Sequence, residues 1–458
     1  MLKLGNHLMA TVLVAGLATS AHGAGIQFGF TGVHALDDDV WSSMNDEGHR
    51  LFLEERVSLA ARAGATVLRL GATRPWLVDM ERIHAGTERN WTDADAAVLA
   101  MKSAGLDLCL TLPELIQLDE ISSYQAYVTR LAERYDGDTD FGVDPADVNY
   151  EWPDIDGSGA VTLADWEASD AAILVWAEAH RVDRIEIGHE PRALEITGQL
   201  PEDVYAQQLK VAKASLTGAG SAQKLVLAGT RLDDQSKSHF TNRFDTLDPN
   251  ATPWFDLAIA HVFESTADIS QLESATHIAK FSNWLQSIGH GNTPTWLGEL
   301  ALPAEPDAGP GSVFLDPRTS TQTQANGLVR LVMEAILEGY EAILYAEPFE
   351  VLAGGDERTG TGLLTIQEIE GLEPMMWPVE ARPAYTVWRW LVDRFGGMDP
   401  SDVATLPGLP VNARGVRVSG QGWLLWYDWT MEVDQGAEYG GTLKPVTLDG
   451  VTSPSLKI

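Results

Sequence analysis

The chain has 458 residues, 45% of them apolar, which suits an ordinary globular protein with room for one large domain and a small appendage. Its 66 acidic residues outnumber 31 basic ones, giving a formal net charge of -35. Such a field repels phosphate backbones and anionic lipid surfaces, so the expectation is no nucleic acid and no membrane partner, and a neutral or cationic ligand instead.

The N-terminus has the layout of an export signal. Lys3 supplies a positive start, Leu8 to Ala18 an apolar stretch, and Ala21-His22-Gly23 small residues for cleavage before Ala24. Residues 1–23 are therefore expected to be a signal peptide, and the mature protein secreted or periplasmic. No later stretch approaches the roughly 18 apolar residues of a membrane span. Cys109 is the single cysteine, so no intrachain disulfide can form. Set in Leu106-Asp107-Leu108-Cys109-Leu110, it reads as a small core residue.

From Gly25 onward, strand and helix signals alternate. A strand near 26–31 is followed by a helix over 51–64, a strand near 66–71 and a helix over 92–104. Thr92-Asp93-Ala94-Asp95 resembles a capped start for that helix, and Ala104-Gly105 closes it. A strand near 107–112 and a helix over 121–135 come next. The rhythm then breaks at an Asp- and Gly-rich segment, 136–166. It resumes with strands near 184–188, 224–229, 256–262, 294–298 and 342–346. Helices over 202–217, 271–288, 320–338 and 382–395 are interleaved with them, with a short candidate near 236–244.

Eight strands with eight helices predict a (β/α)₈ barrel over residues 24–398, with 136–166 as an insertion. An open doubly wound sheet would need a Gly-rich phosphate loop after its first strand, and none is present. In the remaining stretch, 399–458, two alternating runs flank Gly420-Gln421-Gly422 as in a hairpin, which predicts a small β-rich appendage.

The insertion carries a metal-ligand pattern. Asp154, Asp156 and Ser158 stand at positions 1, 3 and 5 of a twelve-residue loop, Gly159 at the sharp turn of position 6, and Asp165 closes position 12. Ala160 would add its backbone carbonyl at position 7. These hard oxygen donors suit calcium, and the loop resembles the EF-hand and dockerin calcium loop. Lying between a helix and the following strand, it belongs to the N-terminal face of a barrel, where an ion has a structural role. Asp136, Asp138 and Asp140 lack the matching glycine.

Two glutamates end apolar runs, Glu190 in Ile185-Glu186-Ile187-Gly188-His189-Glu190-Pro191 and Glu299 in Trp296-Leu297-Gly298-Glu299. Strand ends of a barrel deliver side chains to the active mouth, and two carboxylates there are what glycoside hydrolysis needs. On these residues the chain resembles clan A of the retaining glycoside hydrolases over about 25–400. The resemblance implies Glu190, in a His-Glu-Pro version of the clan's Asn-Glu-Pro motif, as acid/base and Glu299 as nucleophile. It also implies Arg69 as support for the nucleophile and His261 as a sixth-strand site residue. His189 takes the place of an asparagine that bonds the sugar. Trp76 and Trp296 are candidate sugar-stacking residues. Tyr345 sits on the eighth strand, where a tryptophan platform is usual. Phe263 replaces a frequent tyrosine, so sugar, linkage and family stay open.

The expected function is thus a retaining glycosidase acting on a poly- or oligosaccharide, with no catalytic cofactor and protein partners unknown. A catalytically silent carbohydrate-binding barrel and a calcium-linked surface scaffold are the alternatives. The scaffold would have called for a second calcium loop.

Overall fold

The structure is a computed structural model that describes residues 25–31, 55–70, 91–112, 120–143, 150–189, 204–231, 240–241, 254–263, 274–304, 321–346, 348–352, 362–368, 376–409, 413–420 and 422–427. Eight parallel strands close into a barrel in chain order: β1 (Gln27–Thr31), β2 (Val67–Leu70), β3 (Asp107–Leu112), β4 (Arg184–Ile187), β5 (Lys224–Arg231), β6 (Leu257–Phe263), β7 (Thr295–Ala301) and β8 (Ala342–Ala346). Closure is made by β1 against β8, with Phe28 opposite Ile343 and Phe30 opposite Tyr345. This is the (β/α)₈ architecture that the alternation predicts.

Helices form the outer layer. They include α1 (55–62), α2 (Trp91–Ser103) and α3 (Ile121–Tyr135). In the insertion lie α4 (Leu163–Trp166) and α5 (Asp170–Ala179), followed by α6 (Val204–Gly218) and α7 (Ser274–Ser287). Then come α8 (Thr321–Leu337) and α9 (Pro383–Phe395). Proline in the first turn of α9 needs no hydrogen-bond donor there, which sharpens its start. Of the short helix expected near 236–244, only 240–241 are described, and these are helical.

The period-2 alternation of the strands sorts side chains into two shells. Outward residues such as Leu68, Leu108, Ile185, Leu225 and Ile343 join the large core beneath the helices. Inward residues Val67, Cys109, Val226, Leu257, Ile259, Trp296, Ala342 and Leu344 pack together in the barrel's interior. Cys109 is therefore a packing residue, and burial pushes its thiol up, away from reactivity.

The insertion leaves and rejoins the barrel at one point. Val182 donates its N–H to the carbonyl of Tyr135, the last residue of α3, at 2.8 Å. Gln223 Nε2 ties the carbonyls of Tyr135 and Val182 together at 3.0 and 2.9 Å. The junction precedes β4 and so lies on the N-terminal rim. Helix α5 extends the irregular segment to about the start of β4, further than the Asp/Gly-rich composition indicates.

Two small sheets follow the barrel strands. One has the order β11 (Met376–Ala381), β10 (Leu364–Glu368), β9 (Phe349–Leu352), and its strands were not expected. Four to six residues carry too little periodic signal to separate them from the loop between β8 and α9. The other is antiparallel, with β12 (Val403–Thr405), β13 (Ala413–Val418) and β14 (Gly422–Tyr427). Val418 faces Gly422 across the turn, as the expected hairpin requires, and Gly420 supplies a φ of 68°.

Helix α9 covers the barrel seam. Trp388 is fully buried, with ring centroids 5.4 Å from Phe28, 5.2 Å from Phe30 and 6.0 Å from Tyr345. Removing that ring leaves a cavity between α9 and both closing strands. Trp388→Ala is expected to lower unfolding free energy by about 3–5 kcal/mol, read from the guanidinium midpoint at unchanged slope.

Candidate active site at the C-terminal mouth

Above the apolar interior layer, the inward positions turn polar. Arg69 on β2, Thr111 on β3, Glu186 on β4, His261 on β6 and Glu299 on β7 are all buried. Each lies toward the C-terminal end of its strand, the end at which barrels of this type do chemistry.

Arg69 is the hub. Its Nε and Nη2 donate to Glu186 Oε2 and Oε1 at 2.5 and 2.8 Å, and its Nη1 donates to Glu299 Oε1. Glu186 is held from two further sides: Thr111 Oγ1 donates to Oε2 at 2.7 Å, and the Gly229 N–H donates to Oε1 at 2.9 Å. With every lone-pair direction used, the buried carboxylate is a fixed anion that orients the guanidinium.

Glu299 reaches this layer against the alternation of its own strand. Trp296 points into the barrel interior, whereas Leu297 and Leu300 both join the outer core, so the parity changes between them. On β6, Ala260 pairs with Leu297 and Val262 with Leu300; on β8, Ile343 pairs with Leu297 and Tyr345 with Leu300. Two residues of β7, Gly298 and Glu299, thus face single residues on both neighbours, which is a β-bulge. Glu299 has a φ of 60°, and among the described residues it is the one non-glycine with positive φ. That conformation costs about 1–3 kcal/mol and persists where the surroundings over-determine it. Gly298 is needed beside it, since a Cβ there would meet Ile259 Cγ2 at 2.5 Å.

Two histidines flank the carboxylate. His189 Nε2 is 2.7 Å from Glu299 Oε1, and His261 Nδ1 is 3.4 Å from Oε2. Their rings lie 5.5 Å apart. His261 is accommodated by Gly229, at which a Cβ would fall 1.6 Å from His261 Nε2. Gly229 itself lies in an irregular stretch of β5, between Leu227 and Thr230, where the register with β6 shifts.

Electrostatics follow from this packing. Burial by itself would raise the Glu299 pKa, but His261, Arg69 and the hydrogen bond from His189 outweigh it and hold the carboxyl well below the usual range. Burial opposes charge on His189, yet its hydrogen bond to Glu299 and that anion's field raise the imidazole pKa above its ordinary value. Glu299 is therefore an ionised, oriented carboxylate at neutral pH, with a proton donor on its flank.

The structure brings together Arg69, His189, His261 and Glu299 from the residues singled out in the sequence. Glu190 and Trp76 lie outside the described residues. Trp296 and Tyr345, expected among ligand contacts, pack elsewhere. Trp296 is 1% exposed in the barrel interior, with the Arg184 guanidinium 4.7 Å from its ring centroid. Tyr345 points outward, buried against Trp388, with its hydroxyl 3.4 Å from the Leu302 carbonyl. Strand parity decides Tyr345, because inward positions on β8 fall at Ala342 and Leu344, whereas Trp296 points inward near the start of β7 and so lies in the apolar layer below the mouth. Glu186 was missed. Its signal was a charged residue alternating with Ile185 and Ile187 in a buried strand, where only a paired ion is tolerated.

At the opposite rim, carboxylate oxygens of Asp154, Asp156 and Asp165 lie within 4.8 Å of one another. Asp154 accepts from the N–H groups of Ser158 and Gly159 at 3.0 and 2.6 Å, wrapping the loop about its first residue. Asp165 accepts from Ile155 N and Asp156 N at 2.6 and 2.9 Å while forming a capping box with Thr162 at the start of α4. Ser158 Oγ donates to the Ala160 carbonyl at 2.9 Å, which brings positions 5 and 7 together. This donor set fits a hard divalent cation.

No protein-family model and no curated protein sequence matches the chain. Among solved structures, a glucosidase from Croceicoccus marinus is similar at 14% identity and TM-score 0.48, covering 86% of this chain and 75% of that one. An endo-1,4-beta-D-mannanase from Thermotoga petrophila is similar at 10% identity and TM-score 0.45, over 81% and 99%. Xylanase 10B from Thermotoga maritima is similar at 12% identity and TM-score 0.43, over 81% and 96%. Likenesses this distant assign no activity.

The clamp makes its own prediction. Glu186→Gln strips the fully buried Arg69 of half its counter-charge, and breaking such a pair costs about 3–5 kcal/mol. Chemical denaturation should show that loss, whereas Glu167→Gln, on the exposed insertion surface, should leave stability within about 0.5 kcal/mol.

Proposed function

We propose that the chain is a secreted glycoside hydrolase that cleaves O-glycosidic bonds of a poly- or oligosaccharide by retaining double displacement. The single observation that carries this reading is Glu299, an inverted, ionised carboxylate aimed into the mouth of the barrel and braced by Arg69. An oriented anion without a bound proton is what attack on an anomeric carbon needs.

The chemistry assigns two steps. Glu190, one residue beyond His189, protonates the leaving oxygen while Glu299 bonds to the anomeric carbon. Once the glycosyl ester forms, the charge on Glu299 is gone, and Glu190 acts as base toward water. Arg69 stabilises the carboxylate when it leaves. His189 immediately precedes Glu190 in sequence and touches Glu299, so it is placed to bond a sugar hydroxyl beside the reacting carbon. The acidic surface repels anionic polymers, which favours a neutral saccharide.

Calcium in the 154–165 loop belongs to this proposal as a structural ion. The residues that would hold it are Asp154, Asp156, Ser158, the carbonyl of Ala160, and Asp165. The loop leaves the barrel on the N-terminal rim, so the ion would brace the insertion and take no part in the reaction.

Two experiments test these assignments. Glu299→Gly should abolish hydrolysis of an aryl glycoside and regain turnover with azide, while the wild type releases products of retained configuration by NMR. Inverted products, or full activity in the variant, would overturn the mechanism; an inert wild type across a glycoside panel would favour the binding-only barrel. For the ion, chelation and Asp154→Ala should each lower the melting temperature by about 1–2 °C, the shift that a loss of about 1–2 kcal/mol gives a chain of this size, with activity per folded molecule retained. Loss of turnover at unchanged stability would refute a structural role.

A further inference from the structure

We propose that His189 Nε2, His261 Nδ1 and a carboxylate oxygen of Glu299 form a binding site for one borderline divalent transition-metal ion, zinc being the representative, at the mouth of the barrel. The three donor atoms lie within 4.8 Å of one another. Two imidazoles and one carboxylate are a donor set that zinc, cobalt and copper prefer over calcium or magnesium.

The spacing suits one ion. Metal bonds of about 2.0–2.2 Å place neighbouring ligand atoms on one ion about 3–3.5 Å apart. The measured separations are 2.7 Å from His189 Nε2 to Glu299 Oε1 and 3.4 Å from His261 Nδ1 to Oε2. A modest opening of the His189 contact therefore admits the ion in place of the proton shared there. His261 and Glu299 come from β6 and β7 of the barrel wall, and His189 from the second residue beyond the end of β4. His261 is fixed from behind by its fit against Gly229. His189, with 42% of its side chain exposed, marks the side on which a water or exogenous ligand completes the coordination.

Charge does not oppose binding. With neutral imidazoles, Arg69, Glu186 and Glu299 sum to one net negative charge, and the chain's overall charge of -35 concentrates cations nearby. The site stands on its own geometry, not on the proposed hydrolysis. A metal would consume a lone pair that Glu299 needs as nucleophile, so the two uses exclude each other, and zinc is expected to inhibit any glycosidase activity reversibly.

The test uses the full chain, stripped of metal and returned to excess calcium so that the 154–165 loop is supplied with its own ion. Zinc is titrated by calorimetry, and copper(II) is added for electron paramagnetic resonance. One zinc per chain, with copper signals split by two imidazole nitrogens, supports the site. His189→Gln should weaken zinc at least about tenfold and remove one nitrogen, with an unchanged circular dichroism spectrum. His261→Asn should do the same if it folds; His189→Gln, at a half-exposed position, decides the matter alone if it does not. Absence of zinc binding at millimolar concentration, a copper signal without nitrogen splitting, or unchanged affinity in His189→Gln overturns the inference. Zinc bound as expected by a chain inert toward every glycoside would leave this site standing and refute the hydrolase reading.

Discussion

A guanidinium buried between two carboxylates organises the mouth of this barrel. Arg69 is inaccessible to water, and so is Glu186, so each is tolerable only because the other is present. Glu299 is the third member, and it is the one whose position is unusual. Without the positive charge beside it, two anions in a low-dielectric layer would repel, and one would take up a proton. The ion triad therefore keeps Glu299 charged and limits where its carboxylate can sit.

Backbone irregularities in β5 and β7 answer the same constraint. An ideal β7 would turn residue 299 outward into the helices, away from Arg69. The bulge at Gly298–Glu299 reverses it, at the expense of a left-handed backbone. On β5, the register shift around Gly229 frees an N–H to bind Glu186 and leaves room for the His261 ring. Local strain is thus concentrated where polar contacts can repay it, while the lower interior layer stays apolar and regular.

The two ends of the barrel divide the work. At the N-terminal end the insertion is tied on by the Val182 N–H to the Tyr135 carbonyl and by Glu151, which accepts from the Trp91 N–H and from Arg134. Polar groups that must be ionised or oriented gather at the other end. Such separation lets the insertion carry its acidic loop without disturbing the charges around Arg69, since interactions between distant exposed charges are screened.

The sequence by itself determined the architecture, because eight buried strands and their helices each leave a local periodic trace that needs no knowledge of neighbours. It also marked Arg69, His189, His261 and Glu299, which stand at strand ends where the resemblance to clan A glycoside hydrolases implies site residues. The clustering of Asp154, Asp156 and Asp165 was legible because their spacing is contained within twelve consecutive residues. Other features depended on packing between elements far apart in the chain. The part of Glu186 follows from a partner 117 positions away. Trp296 and Tyr345 were read as ligand contacts from their places on strands, but the closed barrel sent one into its interior and the other under α9. Only the tertiary structure decided which way Glu299 points, because a bulge is defined by the register of two neighbouring strands and not by the strand that contains it.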